Sequence, residues 1–180
     1  MVPLYSFLAV IFLVSATPAA ANMSNTLIPR LCYSSSRSDP NINYNFCTTS
    51  LQSAPDSPCA DFRKLGMISI RLVKFNATNT RCYIKELLKN KKLQPYVKQC
   101  LKDCYELYSN VMPTVRKAAE DYKARKFYDA NIELSSVMDD ASTCEEGFFE
   151  KKGIKSPLTK RNQYLFELSA IALSMINMAQ

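Results

Sequence analysis

Along most of the chain, apolar residues recur at alternating steps of three and four, the spacing that lines one face of a helix and leaves the others to water. The clearest stripe is Val97, Leu101, Cys104, Tyr108, Val111, Val115, Ala118 and Tyr122, and a second runs Phe127, Ala130, Leu134, Val137, Ala141, Cys144 and Phe148. An earlier stripe reads Leu65, Ile68, Leu72, Phe75 and, after Asn79, Cys82; the last reads Leu165, Leu168, Ala172 and Met175. These stripes predict long helices. Asn90-Lys91-Lys92 and Lys123-Ala124-Arg125 fall between them as short basic links. Links that short join antiparallel neighbours, so the expected fold is all-α, an up-and-down four-helix bundle. Ser57-Pro58 and Ser156-Pro157 each set a capping hydroxyl before a proline suited to a first helical position. Pro113 interrupts the pattern: inside the second long helix it removes a backbone hydrogen bond, which predicts a kink near Ser109-Asn110 or a break there.

Upstream, Asn22 to Ala54 is richer in Ser, Asn and Thr and holds Asp39-Pro40. We read residues 22–55 as an N-terminal extension folded as a helical hairpin, forming one domain with the bundle of residues 56–180. Residues 1–21 carry no charge, hold the apolar run Phe7 to Val14 and end in Ala19-Ala20-Ala21, the pattern of a cleaved signal peptide. The run is shorter than the roughly 20 residues that span a bilayer, so the mature chain is expected to carry no membrane anchor. About 159 residues remain, enough for one self-sufficient core.

Seven cysteines in an exported chain imply disulfides with one thiol left over. Three bonds among them allow on the order of a hundred arrangements. Antiparallel helices, however, bring together positions equidistant from the turn that joins them. Cys104 and Cys144 have their midpoint at Ala124 and both lie on apolar stripes; Cys32 and Cys47 centre between Asp39 and Pro40; Cys82 and Cys100 centre on Lys91. The expected bonds are therefore Cys32–Cys47, Cys104–Cys144 and, as a third, Cys82–Cys100. Cys59 is left as a reactive or dimer-forming thiol or as a buried one. Helix axes about 8–10 Å apart bring facing residues within disulfide reach. Cys100 and Cys104 lie one turn apart, but no histidine or further close cysteine pair completes a ligand set, so neither a metal nor another cofactor is expected.

The absence of histidine excludes Ser-His-Asp and Cys-His catalytic sites and two-His zinc sites. With Gly66, Gly147 and Gly153 as its only glycines, the chain has no Walker loop and no dinucleotide-binding fingerprint. Asp139-Asp140 and Glu145-Glu146 pair carboxylates in sequence, yet adjacent helical residues point apart and make a poor acid–base couple. The formal net charge is +7, which attracts an acidic partner surface or a polyanionic wall polymer over a screening length of about 10 Å. Asn22-Met23-Ser24 and Asn76-Ala77-Thr78 are glycosylation sequons, which agrees with export and would set Asn76 toward solvent if its sequon is used. No nucleic-acid or membrane partner is expected.

Three segments, Leu101-Lys102-Asp103-Cys104-Tyr105-Glu106-Leu107-Tyr108, Asp140-Ala141-Ser142-Thr143-Cys144-Glu145-Glu146-Gly147-Phe148 and Ser156-Pro157-Leu158-Thr159-Lys160-Arg161-Asn162, are specific in their order and spacing. Together they make the chain resemble the plant invertase and pectin methylesterase inhibitor family over nearly all of its mature length. The wide first cysteine pair adds a likeness to the plane-tree pollen allergen type within that family. The resemblance implies a hairpin closed by Cys32–Cys47 on a bundle closed by Cys104–Cys144, with Cys59, Cys82 and Cys100 outside that pattern. It implies no enzyme. It implies instead a secreted inhibitor, in the cell wall or the vacuole, that covers a target enzyme's active cleft in a non-covalent complex. The expected target is acid invertase (β-fructofuranosidase), and the alternative is pectin methylesterase. Invertase-inhibiting members insert a Pro-Lys-Phe tripeptide from between the late helices; this chain has none.

The candidate partner-binding segment is Glu150 to Arg161, where Lys151, Lys152, Lys155, Lys160 and Arg161 surround Gly153, Ser156 and Pro157. A cation there would meet the carboxylates that a glycosidase uses as acid and nucleophile. The plainer reading is a solvated basic loop. A third functional reading is a module binding a small apolar ligand between the stripes, with seven methionines allowing adaptable packing.

Overall fold

The computed structural model describes residues 19–180 and side chains from Leu27 onward. The expected signal peptide lies almost wholly outside this range, as does the side chain of Asn22. The described residues form six helices: α1 Ala19–Ser38, α2 Tyr44–Gln52, α3 Phe62–Leu87, α4 Pro95–Lys123, α5 Phe127–Phe149 and α6 Thr159–Asn177. A 3₁₀ turn spans Ser57–Cys59.

Side-chain pairs fix the direction of each helix. Thr78 meets Met112 and Arg81 meets Ser109 between α3 and α4, whereas Tyr96 meets Gly147 and Lys117 meets Glu133 between α4 and α5. Glu145 meets Thr159 and Asn131 meets Asn177 between α5 and α6, and Arg161 lies over Tyr83 of α3, which closes the ring. Every neighbour is antiparallel, as expected of an up-and-down bundle. Tyr108, Leu101, Leu134, Phe148 and Leu165 are fully buried in its core. A second cluster joins Ile28, Cys32, Cys47 and Leu51 of the α1–α2 hairpin to Leu65, Ile68, Ile171 and Met175 of α3 and α6. Ser174 Oγ donates to Ser35 Oγ at 2.8 Å along the same seam.

The stripe expected on α3 is displaced. Its bundle-facing residues are Ile70, Val73, Ala77 and Ile84, while Phe75 and Cys82 are exposed. The reason is that the first half of α3 is covered on two sides. Leu65 and Ile68 face the hairpin, and the sequence spacing follows that side until the hairpin ends, leaving Phe75 in water.

Two bonds link cysteines: Cys32–Cys47 and Cys104–Cys144, with Cα atoms 5.7 and 4.9 Å apart. Bridges of this kind stabilise a domain by about 2–4 kcal/mol each. The expected Cys82–Cys100 bond is not formed. Cys82 points to solvent, and Cys100 is buried toward α5 with its Sγ 3.4 Å from the Gly147 carbonyl oxygen. Cys59 is exposed.

Neither serine-proline pair begins an α-helix. Asp61 caps α3, its Oδ1 accepting from Lys64 N at 2.7 Å, while the Ser57 hydroxyl donates to the Leu51 carbonyl and ties down the end of α2. α4 runs unbroken through Pro113, with Thr114 Oγ1 donating to Asn110 O at 2.9 Å and Ser109 Oγ to Tyr105 O at 2.6 Å in the turns beside it. The α4–α5 turn closes with Arg125 at φ 60°, Lys126 N bonding Asp121 O and Arg125 N bonding Tyr122 O. This pair of bonds is a Schellman cap with arginine where glycine is usual.

Candidate functional site

The loop from Glu150 to Leu158 hangs between α5 and α6 on two apolar anchors, half-buried Ile154 and fully buried Leu158. Gly153 turns the chain with φ +85°, a conformation that side-chain-bearing residues avoid. Ser156 Oγ accepts from Leu158 N at 3.1 Å, and Leu158 O accepts from Asn162 N at 2.8 Å, which starts α6.

Beneath the loop, hydrogen bonds run from the bundle axis to the surface. Tyr108 donates to Asn162 Oδ1 at 2.7 Å, Asn162 Nδ2 donates to Glu145 Oε2 at 2.7 Å, and Thr159 Oγ1 donates to Glu145 Oε1 at 2.5 Å. Asn162 is only 2% exposed and every polar atom of its amide group in this chain has a partner, as burial demands. Burial pushes the Tyr108 phenol well above its ordinary range, so it remains a donor.

The basic residues divide into two groups. Lys151 Nζ lies 5.1 Å from the Tyr96 ring centroid, and Arg161 Cζ lies 4.2 Å from that of Tyr83, so these two cations pack on aromatic faces of α4 and α3. Tyr96 in turn donates to the Gly147 carbonyl at 2.8 Å, fixing the end of α5. Lys152, Lys155 and Lys160 are exposed beside exposed Pro157. Burial raises the Cys100 thiol, which makes it a poor nucleophile below the loop.

Sequence reasoning placed the cations on one loop but missed their supports Tyr83, Tyr96, Tyr108, Glu145 and Asn162. Asn162 carried a signal: it stands one helical step before Leu165, a polar residue in phase with an apolar stripe. Asn76 is half-buried along α3, its Oδ1 accepting from Thr80 Oγ1 at 3.5 Å.

Open grooves lie on the described surface, among them one of about 310 Å³ beside Glu145, Asn162 and Phe166, one of about 450 Å³ beside Pro55, Leu72 and Phe75, and one of about 550 Å³ beside Ser34, Asn131 and Met138. Among the described residues, no three His, Cys, Asp or Glu side chains could hold a metal ion, and no helix is long and apolar enough to cross a membrane.

The chain is 38% identical to a protein of Platanus acerifolia named "Putative invertase inhibitor" over 155 residues, 86% of either chain. It is 27% identical to the Arabidopsis thaliana "Cell wall / vacuolar inhibitor of fructosidase 2", covering 84% of this chain and 81% of that one. Its fold matches a crystal structure of a mutant form of a pectin methylesterase inhibitor from Arabidopsis, with TM-score 0.67, 20% identity, and coverage of 76% of this chain and 89% of the other. The profile of plant invertase/pectin methylesterase inhibitors matches residues 19–175, and the chain belongs to that family.

Proposed function

We propose that this protein is a secreted inhibitor of acid invertase, working in the cell wall or the vacuole by covering the enzyme's active cleft in a non-covalent complex. The observation that carries this reading is the α5–α6 loop. Its backbone is anchored by Ile154, Leu158 and the Tyr108–Asn162–Glu145–Thr159 chain, while Lys152, Lys155 and Lys160 remain exposed. A preorganised loop loses little freedom on docking, and its cations suit the paired carboxylates of a glycosidase. The name of the Platanus relative supports this target. The lack of a Pro-Lys-Phe tripeptide keeps pectin methylesterase as the alternative.

The test is inhibition of purified acid invertase and pectin methylesterase, side by side, by the oxidised protein and by its Lys152→Ala/Lys155→Ala/Lys160→Ala variant. Selective invertase inhibition that weakens at least about tenfold in the variant is expected, on the scale of lost interfacial charge pairs. Selective esterase inhibition would move the target to the second enzyme. Unchanged inhibition by the variant would remove the loop from the interface.

A further inference from the structure

The positive charge of this protein sits at one end of the bundle. Antiparallel packing brings the α3–α4 and α5–α6 connections together there, as the Lys151–Tyr96 and Arg161–Tyr83 contacts show. With one helical turn on either side, these connections are residues 84–98 and 146–162, and they hold ten Lys and Arg against three Glu. That surplus equals the formal net charge of the whole chain, +7, so the remainder is neutral. The opposite connection, residues 120–130, holds three basic and three acidic side chains. Most of the cations at the basic end are uncompensated. Among the described residues, Lys85, Lys91, Lys92, Lys152, Lys155 and Lys160 are exposed, and none makes an ion pair.

We infer that this end of the bundle is a docking surface for an acidic polysaccharide, a polyuronate whose carboxylates repeat along one chain. Cations spread over two connections match a linear repeat of charges better than one compact acidic pocket. Nine of the ten cations are lysines, and the tenth, Arg161, is stacked on Tyr83, so the surface presents spread point charges that attract a line of anions without bidentate recognition of any one of them. The rings of Tyr83 and Tyr96 are partly buried against the core and each carries a cation over one face, which disfavours them as stacking platforms for a base. The choice of a polyuronate rests on the cell-wall placement proposed above, where such a polymer would hold the protein near its target enzyme. Lys85, Lys91 and Lys92 lie outside the α5–α6 loop, so anchoring and inhibition are separable.

The experiment measures binding of the oxidised protein to polygalacturonate, to its fully methyl-esterified form and to duplex DNA in the absence of enzyme, with inhibition of the two enzymes assayed separately. Binding to polygalacturonate should fall at least about tenfold between about 50 and about 200 mM salt. The neutral ester should bind at least about tenfold more weakly, since it lacks the charges that supply the attraction. Lys85→Gln/Lys91→Gln/Lys92→Gln should weaken binding about tenfold with invertase inhibition unchanged. Lys64→Gln/Lys123→Gln/Lys126→Gln, an equal charge loss elsewhere, should leave binding nearly intact. Equal losses in both variants, no preference for the acid over the ester, or DNA binding as tight as the polyuronate would each overturn the inference. Retained polymer binding without inhibition of either enzyme would instead overturn the inhibitor reading alone.

Discussion

Tyr108 and Asn162 join α4 to α6 across the bundle, the phenol donating to the amide oxygen at 2.7 Å with both side chains withdrawn from water. Removing the hydroxyl leaves a buried acceptor without its donor, which costs about 1–3 kcal/mol. Tyr108→Phe should therefore lower the unfolding free energy by that amount. It should also loosen the contact of Glu145 on α5 with Thr159 at the start of α6. Denaturant unfolding checks the first effect, and amide exchange at residues 156–162 checks the second. Unchanged protection there would show that the loop does not depend on this hydrogen-bond chain.

Gly66 is a point of close helix approach. A Cβ there would lie 2.1 Å from the Tyr122 hydroxyl oxygen and 2.6 Å from the adjoining ring carbon. Tyr122 is nearly buried and edge-on to Phe127, with ring centroids 5.6 Å apart, so its ring cannot swing away freely. Gly66→Ala should destabilise by about 1–3 kcal/mol through overpacking. Thermal unfolding of Gly66→Ala, Tyr122→Leu and the double variant should give a double-variant cost below the sum of the singles.

Arg125 holds a left-handed conformation at φ 60°, which costs a non-glycine residue roughly 1–2 kcal/mol. Arg125→Gly should stabilise the protein by about 0.5–1 kcal/mol, the backbone relief being partly offset by a freer unfolded chain. A fall in melting temperature would show that the arginine side chain makes a compensating contribution.

Asp140 is held above the ordinary carboxylate range, first by burial and then by neighbouring Asp139. A raised acid pKa means that the folded state resists ionisation. The stability associated with the protonated form is complete below the unfolded pKa and is lost as pH rises through the folded one. Asp140→Asn should melt higher than the parent protein at neutral pH, and the difference should shrink as pH falls toward about 4 and change little further below it. A difference independent of pH would assign the effect to packing.

The helices were legible because α4 and α5 each bury one face, and Leu101 to Tyr122 and Ala130 to Phe148 kept the phase that burial imposes. α3 was harder, since Leu65 and Ile68 face the hairpin whereas Val73 and Ala77 face the bundle, and a single stripe cannot record two partners. Cys82 followed the wrong stripe, so equal distance from a turn suggested a partner on a face it does not share. The basic loop was visible as composition. Its supports were not, because Tyr83, Tyr96 and Glu145 reach it only through contacts between helices.

A chain whose surplus charge lies wholly at one end is an electric dipole as well as a cation. In the field of a negatively charged surface it experiences torque before touch, so successive collisions are not random in attitude. The α5–α6 loop and its neighbour arrive first, and the neutral α4–α5 turn trails. Dissolved ions shorten the distance over which this alignment acts, so salt would change how often an encounter begins in the right pose, even where the final contacts are unaltered.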